Sequence, residues 1–206
     1  MLGAIIGVCE ISYGFAMSSN RRDHLLDTAI ELFYRNGCHT TGIDKILAEA
    51  GVAKMTLYKH FKSKEDLVLA AAQRFHDRAR EEFEEAVNDK NYTPKERLIA
   101  IFDVLREWME GEGFRGCPSA NLAVQYPDLD HPIHQAAADH KRLRIKYISG
   151  LAADAGVPNP ETLGEQLVLL IEGATVMTQI TGDLTHADQA KEAAKVLIDA
   201  ALATAA

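Results

Sequence analysis

Apolar side chains recur along this chain at spacings of three and four rather than two. After Arg21, the residues Leu26, Ala29, Ile30 and Phe33 fall at i, i+3, i+4 and i+7, one stripe of an amphipathic helix. Asn36-Gly37 then supplies a left-handed stop. A second helix is expected from Thr41-Gly42-Ile43-Asp44 to about Ala50, with Thr41 placed to cap its free N–H groups and Asp44 to reach back. Gly51-Val52-Ala53 makes a short turn, and Lys54 to Phe61 resumes helical spacing. Two short helices joined by a three-residue turn containing glycine form a helix-turn-helix pattern.

Ser63-Lys64-Glu65-Asp66 repeats the capping pattern and launches a long fourth helix through Leu67, Ala71 and Phe75 toward Glu85. Further helices are predicted at about Pro94–Glu110, Pro118–Gln125, Pro132–Ala155, Pro160–Thr181 and Ala187–Ala203, each break marked by proline, glycine or both. The expected fold is all-α, with about nine helices and no internal repeat. A hydrophobic content of 47% over 206 residues provides for a substantial core. The predicted division is a domain over 18–66, with its helix-turn-helix at about 42–61, followed by a helical domain over 67–206.

Charge sharpens that division. Net charge is -8, yet Ser18 to Lys64 carries eight Lys/Arg against five Asp/Glu, whereas Glu65 to Ala206 carries fourteen against twenty-four. A local excess of +3 beside a local -10 suits a chain of which one part meets a polyanion, since phosphate attraction follows the field of one face rather than the overall charge. The first residues, 1–17, are apolar but lack a basic start, are interrupted by Glu10, and are too short for a membrane helix. They read as a disordered extension or as a mis-assigned start, with translation beginning at Met17. The cysteines Cys9, Cys38 and Cys117 have no metal-ligand spacing, which suits a reducing, cytoplasmic setting.

With Leu57 and Phe61 turned inward, Lys54 to Phe61 presents Met55 and Lys59 outward, Lys54 and Tyr58 on one flank, and Thr56 and His60 on the other. A major groove about 12 Å wide admits such a helix, and these donors can reach phosphate oxygens along its walls. Lys64, beside the free N–H groups that open the fourth helix, adds a further anion contact.

The stretch TTGIDKILAEAGVAKMTLYKHFKSKEDL, Thr40 to Leu67, with the preceding LLDTAIELFYRNG, resembles the DNA-binding domain of TetR-type transcriptional regulators. The resemblance covers about Arg21 to Phe75. It implies that Thr41, Tyr58, His60 and Lys64 hold phosphates, while Lys54, Met55 and Lys59 face base edges. Met55 stands where many members carry a small residue, and a thymine methyl contact is its expected substitute. The resemblance further implies a double-stranded DNA operator, a small-molecule effector, and a homodimer formed through the last two long helices, with no membrane association.

Gly164 to Gly182 is apolar around most of its circumference, with Gly164, Gly173 and Ala174 permitting close approach. Ala193, Ala194, Leu197, Ile198 and Ala201 form a matching stripe on the last helix. Candidate effector-pocket residues are Phe102, Leu105, Trp108, Met109, Cys117, Leu122, Tyr126, Tyr147 and Met177, although side chains at such spacing also serve as plain core. Cys117 precedes Pro118 at a predicted helix start with Arg115 nearby, a setting that stabilises a thiolate and makes it a candidate redox or electrophile switch. The competing reading is a small thiol filling a tight bend. Asp128, Asp130, His131, His134 and His140 invite a metal reading, but the acidic groups also suit a helix cap ahead of Pro132, and no metal or cofactor is expected.

The favoured function is a sequence-specific, ligand-responsive homodimeric repressor. Its rivals are a small helical enzyme with Cys117 as nucleophile, which lacks an evident base, and a non-specific architectural DNA protein, which the acidic second part disfavours.

Overall fold

The computed structural model describes residues 21–88 and 91–204. The expected N-terminal extension over 1–17, with Cys9, lies outside the described residues. Nine helices and no strand occur among those described: α1 (Arg21–Asn36), α2 (Ile43–Ala50), α3 (Lys54–His60), α4 (Lys64–Val87), α5 (Pro94–Glu110), α6 (Pro118–Gln125), α7 (Pro132–Asp154), α8 (Pro160–Thr181) and α9 (Thr185–Ala203). No helix among them is long and apolar enough to cross a membrane.

The described residues fall into two compact units, 21–79 with 118–140, and 80–117 with 141–204. The first therefore holds more than a cut after residue 66 assigns to it: the N-terminal part of α4, all of α6 and the start of α7. Its core gathers Leu25 and Ala29 of α1, Ile46 of α2, Leu57 of α3 and Leu67 of α4, none with exposed surface. Tyr126 and Ile133 join the same core from the far segment. Beside this core, Asp27 is buried and paired on two sides, with Arg74 Nε at 2.7 Å and Arg78 Nη1 at 3.2 Å from its Oδ1. These charge-assisted bonds tie α1 to α4 and offset the cost of burying the carboxylate.

Thr41 does not cap α2. The N-cap is Gly42, without a side-chain bond, and Thr41 is wholly buried, its hydroxyl donating to the carbonyls of Gly37 at 2.8 Å and Leu32 at 3.3 Å. The hydroxyl thus closes the end of α1 rather than opening the next helix. At Ser63 the expected cap forms in a shifted version: Ser63 Oγ accepts the Asp66 N–H at 3.0 Å, while Asp66 reaches back to the Lys62 N–H at 3.0 Å. A complete capping box stands at the start of α5, where Thr93 Oγ1 accepts from the Glu96 N–H and the Glu96 carboxylate accepts from the Thr93 N–H.

In the second unit, Leu98 and Ile101 of α5, Ile148 of α7, Leu167 of α8, and Ala194 and Ile198 of α9 are fully buried together. Gly164 explains how closely α7 and α8 approach: a Cβ there would stand 3.0 Å from the Ser149 backbone nitrogen. The stripe expected on α9 accordingly divides. Ala194 and Ile198 fill the protein's own core, Leu197 and Ala201 are half-buried, and Ala193 is exposed.

Candidate functional site

The outward face of α3 follows from two anchors. Leu57 is fully buried and Phe61 nearly so, which fixes the rotation of this seven-residue helix and leaves Lys54, Met55, Tyr58, Lys59 and His60 exposed. Met55 is 86% exposed and Tyr58 46%. Thr56 sits half-buried on the flank. Lys54 Nζ lies 3.7 Å from Asp44 Oδ1 with both groups largely in solvent, a pair too weak to withhold the lysine from an incoming anion. Arg22 stacks over Phe61 at 5.4 Å and covers that anchor from solvent.

Lys64 is held apart from α3 but beside the same surface, its Nζ donating to the His39 carbonyl at 3.4 Å. That contact ties the ammonium to the loop between α1 and α2. The loop is shaped by Gly37, whose φ of 83° favours glycine and whose missing Cβ would meet Gln125 Oε1 at 3.1 Å. Gln125, at the end of α6, accepts from the Cys38 N–H at 2.6 Å and the His39 N–H at 3.3 Å. His39 Nε2 in turn meets the Gln125 carbonyl at 2.7 Å. Sequence reasoning passed over Gln125 because its partners lie 86 and 87 positions away. Thr41 is the correction among the expected DNA contacts: with no exposed surface and its hydroxyl turned inward, it presents nothing to a phosphate.

The nine candidate pocket residues are divided between the two units. Phe102, Leu105 and Met109 are buried in the core of the second unit. Trp108 packs edge-on against Phe114 with centroids 4.9 Å apart, and Tyr147 packs likewise against Phe83 at 6.0 Å. Met177 is 44% exposed on α8. Leu122 and Tyr126 belong to the core of the first unit. The spacing that suggested a shared pocket is mainly core spacing.

Cys117 is buried, and its surroundings were only partly foreseen. Lys141 Nζ stands 3.0 Å from Cys117 Sγ and also pairs with Glu172. The thiol is thus joined through one ammonium to α7 and α8. Neither partner is close in sequence, so no local motif announced them. The guanidinium of Arg144, whose ionisation burial disfavours and the nearby Cys117 and Glu172 favour, adds positive charge to the same region. Arg144 also lies over the Phe83 ring at 4.2 Å.

The histidines near α7 are occupied by local structure. His131 Nδ1 accepts the Ile133 N–H at 3.2 Å, His134 Nδ1 lies 2.7 Å from the Tyr126 carbonyl, and His140 stacks on His76 at 4.3 Å. Asp128 Oδ1 accepts the Asp130 N–H and shapes the turn before α7. Among the described residues, no group of three or more His, Cys, Asp and Glu side chains is arranged to hold a metal ion.

Comparison with known proteins gives this geometry its context. Residues 25–71 match the model for bacterial regulatory proteins of the tetR family, and residues 94–194 match the tetracyclin repressor-like C-terminal domain. The crystal structure of a TetR-family transcriptional regulator from Streptomyces coelicolor superimposes with a TM-score of 0.82 at 29% identity, covering 88% of this chain and 95% of that one. The HTH-type transcriptional regulator YjdC of Escherichia coli is 21% identical over 178 residues, which span 86% of this chain and 93% of YjdC. The HTH-type transcriptional repressor NemR of Escherichia coli is 25% identical over 129 residues, 62% of this chain and 65% of NemR. These relatives are regulators, and the reading of Cys117 as an enzyme's nucleophile falls with them. The chain belongs to the TetR family of helix-turn-helix, DNA-binding transcriptional regulators.

Proposed function

We propose that this regulator is a homodimeric repressor that holds its operator with two α3 helices and releases it when an electrophile or small molecule acts on the second unit. The observation that carries the DNA side is the single exposed face of α3, with Lys54, Met55, Tyr58, Lys59 and His60 outward and Leu57 and Phe61 fixed inside. Tyr58, His60 and Lys64 hold phosphates and set register, with Thr56 beside the groove wall. Lys54, Met55 and Lys59 meet base edges, Met55 by apolar contact with a thymine methyl.

An exposed apolar run on α8 supports the dimer. Leu169, Val176 and Ile180 recur at helical spacing, with Gly173 between them, and are 71%, 42% and 74% exposed. Val196 of α9 adds a further exposed apolar group at 68%. Two half-sites read by symmetric partners, about 34–36 Å apart, give such a protein its affinity and its specificity. The relative NemR is a repressor, which supports the sign of regulation.

Cys117 is the proposed switch because Lys141, itself paired with Glu172, stands 3.0 Å from its sulfur. In conjugate addition to a quinone, the sulfur forms the new C–S bond, the displaced electron pair moves to the quinone oxygen, and that oxygen takes up the thiol proton. The resulting thioether no longer receives Lys141 in the same way, so the contact between α7 and α8 changes. The released state must be favoured differentially for this to act as regulation. Genomic fragments selected on purified protein supply the operator for the decisive gel-shift comparison. Quinone or hypochlorite is expected to release wild type and to leave Cys117→Ser bound. Equal release of both proteins would remove Cys117 from the mechanism.

A further inference from the structure

The first unit contains a cavity of about 330 Å³, lined by no residue of α3. Ile30 and Phe33 of α1, Ala72 and Phe75 of α4, and Leu122 and Gln125 of α6 form its main walls. Engineered apolar cavities of about 150 Å³ stay dry and bind benzene, and small-molecule pockets begin at about 300 Å³. The space therefore suits one molecule of roughly two fused rings.

The chemistry of the walls narrows the class. Among the described residues, no Asp, Glu, Lys, Arg or His lines the cavity, so an ionised ligand would lose its hydration without an opposite charge to replace it. Phe33, Tyr34 and Phe75 bring three aromatic rings to it, and Tyr34 and Phe75 lie within 20° of parallel with centroids 6.5 Å apart. Flat aromatic faces favour a flat aromatic guest. Cys38 also lines the space, but burial pushes its thiol up to about 11. It is a neutral wall at pH 7 rather than a nucleophile.

The polar edge of the cavity is already engaged in the fold. Gln125 accepts the Cys38 and His39 N–H groups and donates through Nε2 to the Asn121 carbonyl at 3.1 Å. A guest packed against Gln125 is therefore in contact with the side chain that fixes the loop leading into α2. From these features we infer that the α1–α4–α6 cavity is a binding site for a neutral two-ring aromatic molecule, held without a covalent bond. The site needs neither DNA nor Cys117, and it stands independently of the repressor reading.

The full chain titrated with 2-naphthol by calorimetry tests this directly. One molecule is expected per protomer, with 2-naphthoate, similar in size but ionised, binding at least about tenfold more weakly. Hydrogen exchange on the wild type should slow in segments 30–39, 68–75 and 118–125, including the Cys38 and His39 amides, without requiring any variant to fold. Ala72→Phe, which fills the space from α4, is expected to abolish binding, while Cys117→Ala leaves it intact. The inference is overturned by no saturable binding to wild type, by equal binding of 2-naphthoate, by protection confined to other segments, or by loss of binding in Cys117→Ala. It is overturned as well by undiminished binding in Ala72→Phe with its helical circular dichroism preserved.

Discussion

Two exposed helical faces of this regulator are built to opposite specifications. On α3 the outward residues carry donors and positive charge around the solvent-facing Met55, whereas on α8 they are Leu169, Val176 and Ile180 with Gly173 between them. The first face is comfortable in water and waits for a polyanion. The second carries a standing cost, since each square ångström of apolar surface left in water forgoes about 25 cal/mol. The difference teaches which kind of partner each face requires: charge and hydrogen-bond donors for one, removal from water for the other.

The largest expected effect comes from breaking the apolar face. Leu169→Glu combined with Ile180→Glu places two carboxylates at positions 71% and 74% exposed, where a single chain accommodates them readily. A symmetric partner would face them with their own copies. Sedimentation is expected to show a monomer with unchanged helical content and operator affinity lowered at least about 100-fold, because one of two half-site footprints is lost. A double variant that still sediments as a dimer would place the partner surface elsewhere.

On the α3 side the effects are smaller and separable by salt. If Lys64 neutralises a phosphate as proposed, Lys64→Ala is expected to weaken all sequences alike, reducing the slope of log affinity against log salt by about 1. Tyr58→Phe removes the proposed uncharged phosphate donor and should weaken all sequences alike while leaving the slope nearly unchanged. Titrations from low to moderate salt on operator and random duplex distinguish the two. Loss confined to the operator in either variant would assign that residue to base readout instead.

Met55 sharpens the comparison from within the polar face, because it is an apolar group standing in the open on purpose or by neglect. Met55→Ala is expected to relax preference for thymine at one position per half-site, by less than the roughly 1–3 kcal/mol of a good bidentate contact, with no change in salt slope. Binding-site selection on wild type and variant reads this out. An unchanged preference at every position would leave Met55 as an ordinary surface residue.

Much of the helical plan was legible because the chain is heavily punctuated. Pro94, Pro118, Pro132 and Pro160 each open a helix at the predicted residue, where a missing N–H is harmless and φ is already suitable. The stops at Gly37, Gly51, Gly156 and Gly182 all carry positive φ, the conformation that glycine adopts most readily. The α3 face was legible for a related reason, since the burial of Leu57 and Phe61 is local and fixes every neighbour on the helix.

Contacts between distant segments were not legible in the same way. Gln125 reaches back to Cys38 across 87 positions, and Lys141 meets Cys117 across 24 and Glu172 across 31. Periodicity describes one helix at a time and says nothing about which helices become neighbours. The grouping of 118–140 with the helix-turn-helix is invisible to it for that reason, and Leu122 and Tyr126, expected as pocket candidates, pack with the core of the first unit.

Thr41 shows the same limit at a single residue, and it yields the smallest and most discriminating expected effect. Its position before α2 suits a cap or a phosphate ligand in sequence, yet the folded hydroxyl donates to the Gly37 and Leu32 carbonyls inside the first unit. Thr41→Val keeps the shape and removes that donor, leaving two carbonyls less well satisfied. The expected cost in stability is about 0.5–1.5 kcal/mol, measured by urea unfolding. Operator affinity and its salt slope should match wild type at temperatures where both proteins are folded, whereas Lys64→Ala lowers both. A Thr41→Val protein of wild-type stability that loses operator affinity on every sequence would return the hydroxyl to the phosphate backbone and overturn its assignment to the interior.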